Sequence, residues 1–101
     1  MALTQIDQYQ VMYSDGTYFP RISLKGAGKG LGQLVFHPNG ATLPADAINP
    51  NGGEPLLHYH LDDFQNTIDL LRNEKPMYLL WNGTGAENGI RTTPEPVGEG
   101  E

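Results

Sequence analysis

From Gln8 to Tyr13 the chain alternates, with Tyr9, Val11 and Tyr13 on one parity and Gln8, Gln10 and Met12 on the other. That is the period of a β-strand with two different faces. Asp15-Gly16 interrupts the run, a pair that favours the positive φ of a two-residue hairpin turn, and Tyr18, Ile22 and Leu24 then resume a period of two. The pattern predicts an antiparallel hairpin. Pro20 has no ladder donor, which places it at an edge or a bulge of the return strand. Gln33 to His37 reads as a third strand. In Leu56 to Leu61, Leu57, Tyr59 and Leu61 share one face of a fourth, while Leu56, His58 and His60 share the other.

The period changes once. Leu61, Phe64, Ile68 and Leu71 follow at spacings of three, four and three, which predicts a helix over about 63–73 with one apolar stripe. Asp62 is placed to cap its first turn with Gln65 three residues on, and Arg72 and Lys75 suit the negative end of the helix dipole before Pro76 ends it. Met77 to Trp81 is apolar on both faces, as a central strand is. Asn82 to Asn88 turns the chain, and Ile90 to Thr93 makes a last strand.

Two stretches resist assignment to strand or helix. Residues 38–55 hold four prolines and three glycines, with Leu43 and Ile48 their largest apolar side chains, a loop long enough to need a function or mobility of its own. Residues 94–101 read as an acidic, flexible tail, leaving 1–93 as the folded part. The expected fold is α+β: a small, mainly antiparallel sheet or partly open barrel of five to six strands, with the helix packed on it. This order is compatible with the oligonucleotide-binding barrel if two of the strands are one bent strand.

Composition narrows the class. At 101 residues there is room for one domain, and Gly 13 with Pro 8 make about a fifth of the chain, which excludes a helical bundle. Twelve acidic residues against six basic ones give a net charge of -6, a poor basis for gripping phosphates. The charge is uneven: residues 1–40 carry Arg21, Lys25 and Lys29 against Asp7 and Asp15, whereas 41–101 carry three basic and ten acidic residues. With Cys 0, disulfides and thiolate metal sites are excluded. No stretch approaches the roughly 20 apolar residues of a membrane span, and Met1 to Asp7 lacks a basic segment followed by an apolar run, so the expectation is a cytoplasmic protein with no membrane partner.

Several constellations bear on chemistry. Gly26-Ala27-Gly28-Lys29-Gly30-Leu31-Gly32 is glycine-rich, but Lys29 is followed by Gly30 and a strand, not by a hydroxyl residue and a helix, so a nucleotide phosphate loop is excluded. A loop between strands remains, with a lesser reading in which Lys25, Lys29 and backbone amides meet an anion. His58 and His60 project from one strand face, the spacing at which two imidazoles grip one metal ion. Gly52, five residues and then His58-Tyr59-His60 resembles the opening of the cupin metal motif, which implies a metal at those histidines. The family's Glu would fall near 64 or 65, where Phe64 and Gln65 stand, and its second motif is missing. A third ligand would have to come from His37, Glu54, Asp62 or Asp63. Tyr9, Tyr13 and Tyr18 interleave with Arg21, Lys25 and Lys29, as aromatic platforms and cations do in single-strand binders. Asp62 and Asp63 read as helix caps. Ser14 and Ser23 lack a strand-to-helix elbow, so no nucleophile is assembled.

These readings point to a non-catalytic binding or assembly module without a cofactor, most economically a homo-oligomer, because an open sheet leaves edge strands to cover. Its other partners, protein or small molecule, are unspecified by any motif. A single-stranded nucleic-acid-binding barrel and a metal-binding protein are the alternatives.

Overall fold

Ile22, Leu24, Leu34, Phe36 and Leu57 are almost wholly removed from solvent, and they come from three neighbouring strands. In the computed structural model, which describes residues 2–93, they form the floor of an α+β domain. The strands are β1 (Ala2–Ile6), β2 (Gln8–Met12), β3 (Arg21–Gly26), β4 (Lys29–His37), β5 (Ala47–Ile48), β6 (Pro55–His60), β7 (Met77–Trp81) and β8 (Gly89–Thr92). A 3-10 turn, Leu61–Asp63, leads into the helix α1, Phe64–Asn73. The larger sheet runs β2-β3-β4-β6-β5 and the smaller β1-β7-β8. All ladders are antiparallel except that of β4 with β6. The sheets do not close into a barrel.

Both sheets share the first strand of the chain. β1 pairs with β7 and β2 with β3, and the change of sheet happens at Asp7 alone. There the Asp7 N–H donates to the Lys25 carbonyl at 2.9 Å, and its carboxylate accepts the Ala27 N–H at 3.0 Å. The bend brings Ile6 beside Met77 and Leu79 in one core with Leu24 and Leu34. Over this core lies the helix stripe: Phe64 meets the Phe36 ring edge-on at 4.9 Å, and Ile68 and Leu71 pack against the same cluster. Each of the five fully buried side chains contributes about 1.5–3 kcal/mol by leaving water.

The pattern of tight turns differs from the expectation. Asp15-Gly16 does not close a two-residue hairpin; residues 13–20 all lie between β2 and β3, and Pro20 stands just ahead of β3 with its carbonyl accepting the Phe36 N–H at 3.0 Å. The two-residue hairpin is Ala27-Gly28, where φ is 52° and 78°, joining β3 to a β4 that begins at Lys29. The glycine-rich stretch is therefore a turn followed by strand. Asn82 and Asn88 act through their side chains instead: the Asn82 N–H donates to Asn88 Oδ1 at 2.7 Å, and Asn88 Nδ2 donates to the Gly83 carbonyl at 3.0 Å. Eight strands appear among the described residues because β1 and the two-residue β5 add to those expected. The helix begins at Phe64, after the 3-10 turn, and the Asp62–Gln65 capping box is not formed: Gln65 Nε2 donates to Asp69, and Asp62 is bound to Asn39. The acidic segment 94–101 lies outside the described residues. No described helix is long and apolar enough to cross a membrane.

Replacing Ile68 by Asp should place an unpaired carboxylate against the core and lower stability by about 3 kcal/mol or more. Phe36→Ala should cost about 3–5 kcal/mol. Urea unfolding of both variants checks this; an unchanged midpoint for Ile68→Asp would mean that α1 does not dock through its apolar stripe.

Candidate functional site

Parallel pairing of β4 with β6 brings three histidines onto one face. The register sets Val35 opposite His58 and His37 opposite His60, on the side of the sheet away from the helix. His37 Nε2 and His58 Nδ1 lie 2.9 Å apart, a separation that holds one proton between the two rings. His37 is only 8% exposed, covered in part by Phe19, whose ring centroid is 4.7 Å away. His60 Nε2 lies 2.7 Å from the Ala41 carbonyl; since a carbonyl only accepts, that nitrogen carries the proton and donates.

The 38–54 connection is held down by these contacts. Asp46 Oδ1 accepts the His58 backbone N–H at 3.1 Å, and its Oδ2 accepts Asn88 Nδ2 at 3.2 Å. Asn39 exchanges two hydrogen bonds with Asp62, donating to its carboxylate at 2.9 Å and accepting its N–H at 2.8 Å. Glu54 accepts Gln33 Nε2 at 3.0 Å. The proline-rich loop is thus a tethered crossover. Burial, then the electrostatic influence of the neighbouring His37 ring, holds the His58 imidazole below its ordinary value, with Asp46 pulling the other way. On the opposite face Tyr59, stacked on Phe36, is pushed up to about 12 by burial, then by Asp46 and Asp63.

The histidines named for metal binding are thereby tied to other partners. His58 and His60 do share a face, as their spacing implies, but the ring that meets His58 is His37, and His60 is bonded to backbone. Among the described residues no group of three or more His, Asp or Glu side chains is arranged to hold a metal. In the glycine-rich turn one of the amides of the anion reading, the Ala27 N–H, donates to the Asp7 carboxylate.

The tyrosines and cations of the front hairpin separate. Tyr9 pairs with Leu24 and packs on the core, whereas Arg21 and Lys25, at alternate positions to Leu24, project from the other face. Lys29 is exposed beside the Ala27-Gly28 turn. Tyr13 meets Phe64 edge-on at 5.6 Å, and Tyr18 is exposed at 65%. Arg21 lies against the Met12 sulfur at 3.8 Å. Tyr9 is thereby removed from the cations, while Tyr13 and Tyr18 stay exposed on the connection between Met12 and its ladder partner Arg21.

What the sequence reading did not single out is the end of the larger sheet. Val11 and Met12 are 39% and 38% exposed on an edge strand, and Tyr13, Tyr18 and Phe19 extend the apolar surface along the following connection. The signal was present as apolar residues on both faces of β2. A groove of about 390 Å³ between the Asp7 bend and the end of α1 gathers Asp7, Arg72, Glu74 and Lys75 without a chemistry that joins them. No family model, curated protein or solved structure matches the chain.

Since the folded state holds His58 below its ordinary 6.5, the unfolded chain takes up the proton first as pH falls. The stability contributed by the neutral ring is complete above that value and is lost as pH drops toward the lowered one. The melting temperature should fall as pH drops below the ordinary value of 6.5, and His58→Asn should flatten that dependence. Chelator should leave the melting temperature unchanged at neutral pH; a drop would assign a metal to these histidines.

Proposed function

We propose that this protein is a non-catalytic binding and assembly module, and that it associates with itself through the exposed end of its larger sheet. The observation that supports this reading most directly is the coincidence of a strand edge unpaired among the described residues with apolar side chains: Val11 and Met12 on β2, and Tyr13, Tyr18 and Phe19 on the connection that follows it. A monomer that leaves such an edge open invites pairing with another chain. Aromatic side chains at its margin supply contact area with few rotatable bonds to order.

The remaining features fit a scaffold rather than a reaction centre. The polar groups of the histidine face are engaged with one another and with the crossover. Among the described residues every buried side-chain nitrogen and oxygen has a hydrogen-bond partner. Separation of Tyr9 from Arg21 and Lys25 takes one ring out of a platform for a single-stranded nucleic acid, and the net charge of -6 opposes that reading further.

Sedimentation velocity over a concentration series should show reversible self-association. The double variant Tyr13→Glu, Tyr18→Glu, whose substitutions lie outside β2, should weaken it by about tenfold or more, equivalent to ~1.4 kcal/mol, while the protein stays folded. A wild-type protein that remains monomeric up to millimolar concentration would refute the proposal.

A further inference from the structure

Among the described residues four strands end the two sheets: β2 and β5 in the larger, β1 and β8 in the smaller. Three of them carry features that discourage an added strand. β5 is two residues long, β8 places the charged Arg91 within its four residues, and β1 is closely approached by β3, where a Cβ on Gly26 would overlap the Gln5 carbonyl. β2 has none of these. Gln8-Tyr9-Gln10-Val11-Met12 is five residues long, uncharged and free of proline, and it pairs with β3 in unbroken register.

Resting on the assembly reading above, we infer that β2 pairs antiparallel with β2 of a second copy, about a two-fold axis through Gln10, joining the two five-stranded sheets into one. The register follows from the strand's own sequence. With Gln10 opposite its image, Tyr9 faces the second copy's Val11 and Gln8 faces its Met12, each pair occurring twice. Tyr with Val is an aromatic and β-branched cross-strand pair, a favourable one, and it covers the exposed Val11.

Charge also selects a second copy. The chain is acidic overall, yet no ionisable group of β2 meets its own image, and the acidic excess lies in residues 41–101, outside β2 and β3. The basic residues nearest the middle of the seam are those on β3: Lys25 beside Gln8, and the second copy's Arg21 beside its Met12. They are three strand spacings apart, about 14 Å at roughly 4.8 Å each, beyond the ~8 Å screening length at physiological salt. The five paired residues carry no formal charge, and the acidic residues nearest in sequence, Asp7 and Asp15, lie outside the strand.

Gln10 is exposed, and the chain has no cysteine, so Gln10→Cys adds a single thiol at the axis. Directly opposed residues of an antiparallel pair have Cα atoms about 4.5–5.5 Å apart, inside the disulfide span of about 4.4–6.8 Å. Mild oxidation should convert Gln10→Cys to a covalent dimer while Lys29→Cys, at the far end of the hairpin, stays monomeric. Gln10→Lys and Gln10→Glu, each setting like charges face to face, should lose the dimer at concentrations where the wild type holds it, and mixing the two should restore it. Dimers that persist in both single variants, a mixture that fails to reassociate, or equal crosslinking of the two cysteine variants would overturn the β2 pairing and leave the assembly reading standing. A wild type that is monomeric throughout would overturn both.

Discussion

The parallel ladder between β4 and β6 is the constraint from which most of the structure follows. Two parallel strands side by side cannot be joined by a tight turn, so the chain must leave β4 at His37, cross the sheet and re-enter at Pro55. The proline-rich segment 38–54 is that crossover. It adds β5 to the outer edge of β6 and fastens itself through Asp46, Asn39 and Ala41. Leu34, Phe36 and Leu57 bury one face of the pair under the helix. The other face is left to His37 and His58, which bond to each other, and to His60, which bonds to the crossover backbone.

A second constraint acts at Asp7. One residue redirects the first strand from the small sheet to the large one, and its backbone and side chain both bond to the β3–β4 hairpin. The consequence is an asymmetry between edges. β1 is drawn against β7 and β3, while β2 emerges beyond the bend with only β3 beside it. The exposure of β2 is thus a direct result of using one strand in two sheets.

Local pattern made several elements legible. The α1 stripe at Phe64, Ile68 and Leu71, the central β7 and the two faces of β6 all follow from periodicity, since side chains on a helix or strand project at intervals set by covalent geometry. Turn chemistry was less reliable, for a physical reason. Asp-Gly tolerates positive φ, but tolerance does not compel a hairpin when flanking residues have tertiary partners. Tyr13 and Pro20, on either side of Asp15-Gly16, are engaged with Phe64 and Phe36, and Ala27-Gly28 closes the tight hairpin instead.

The sequence by itself determined the α+β class, the position of the helix, the apolar face of β6 and the shared face of His58 and His60. Only the tertiary structure decided which strands became neighbours. His37 and His58 are 21 residues apart and carry no local sign of pairing; they meet because the β4–β6 register was chosen by the burial of Phe36 and Leu57 on the opposite face. Likewise β2 and β3 read alike as strands, yet one is interior and the other an edge. Periodicity records which way a side chain points, and the energy that selects a strand's neighbour belongs to contacts between segments distant in sequence.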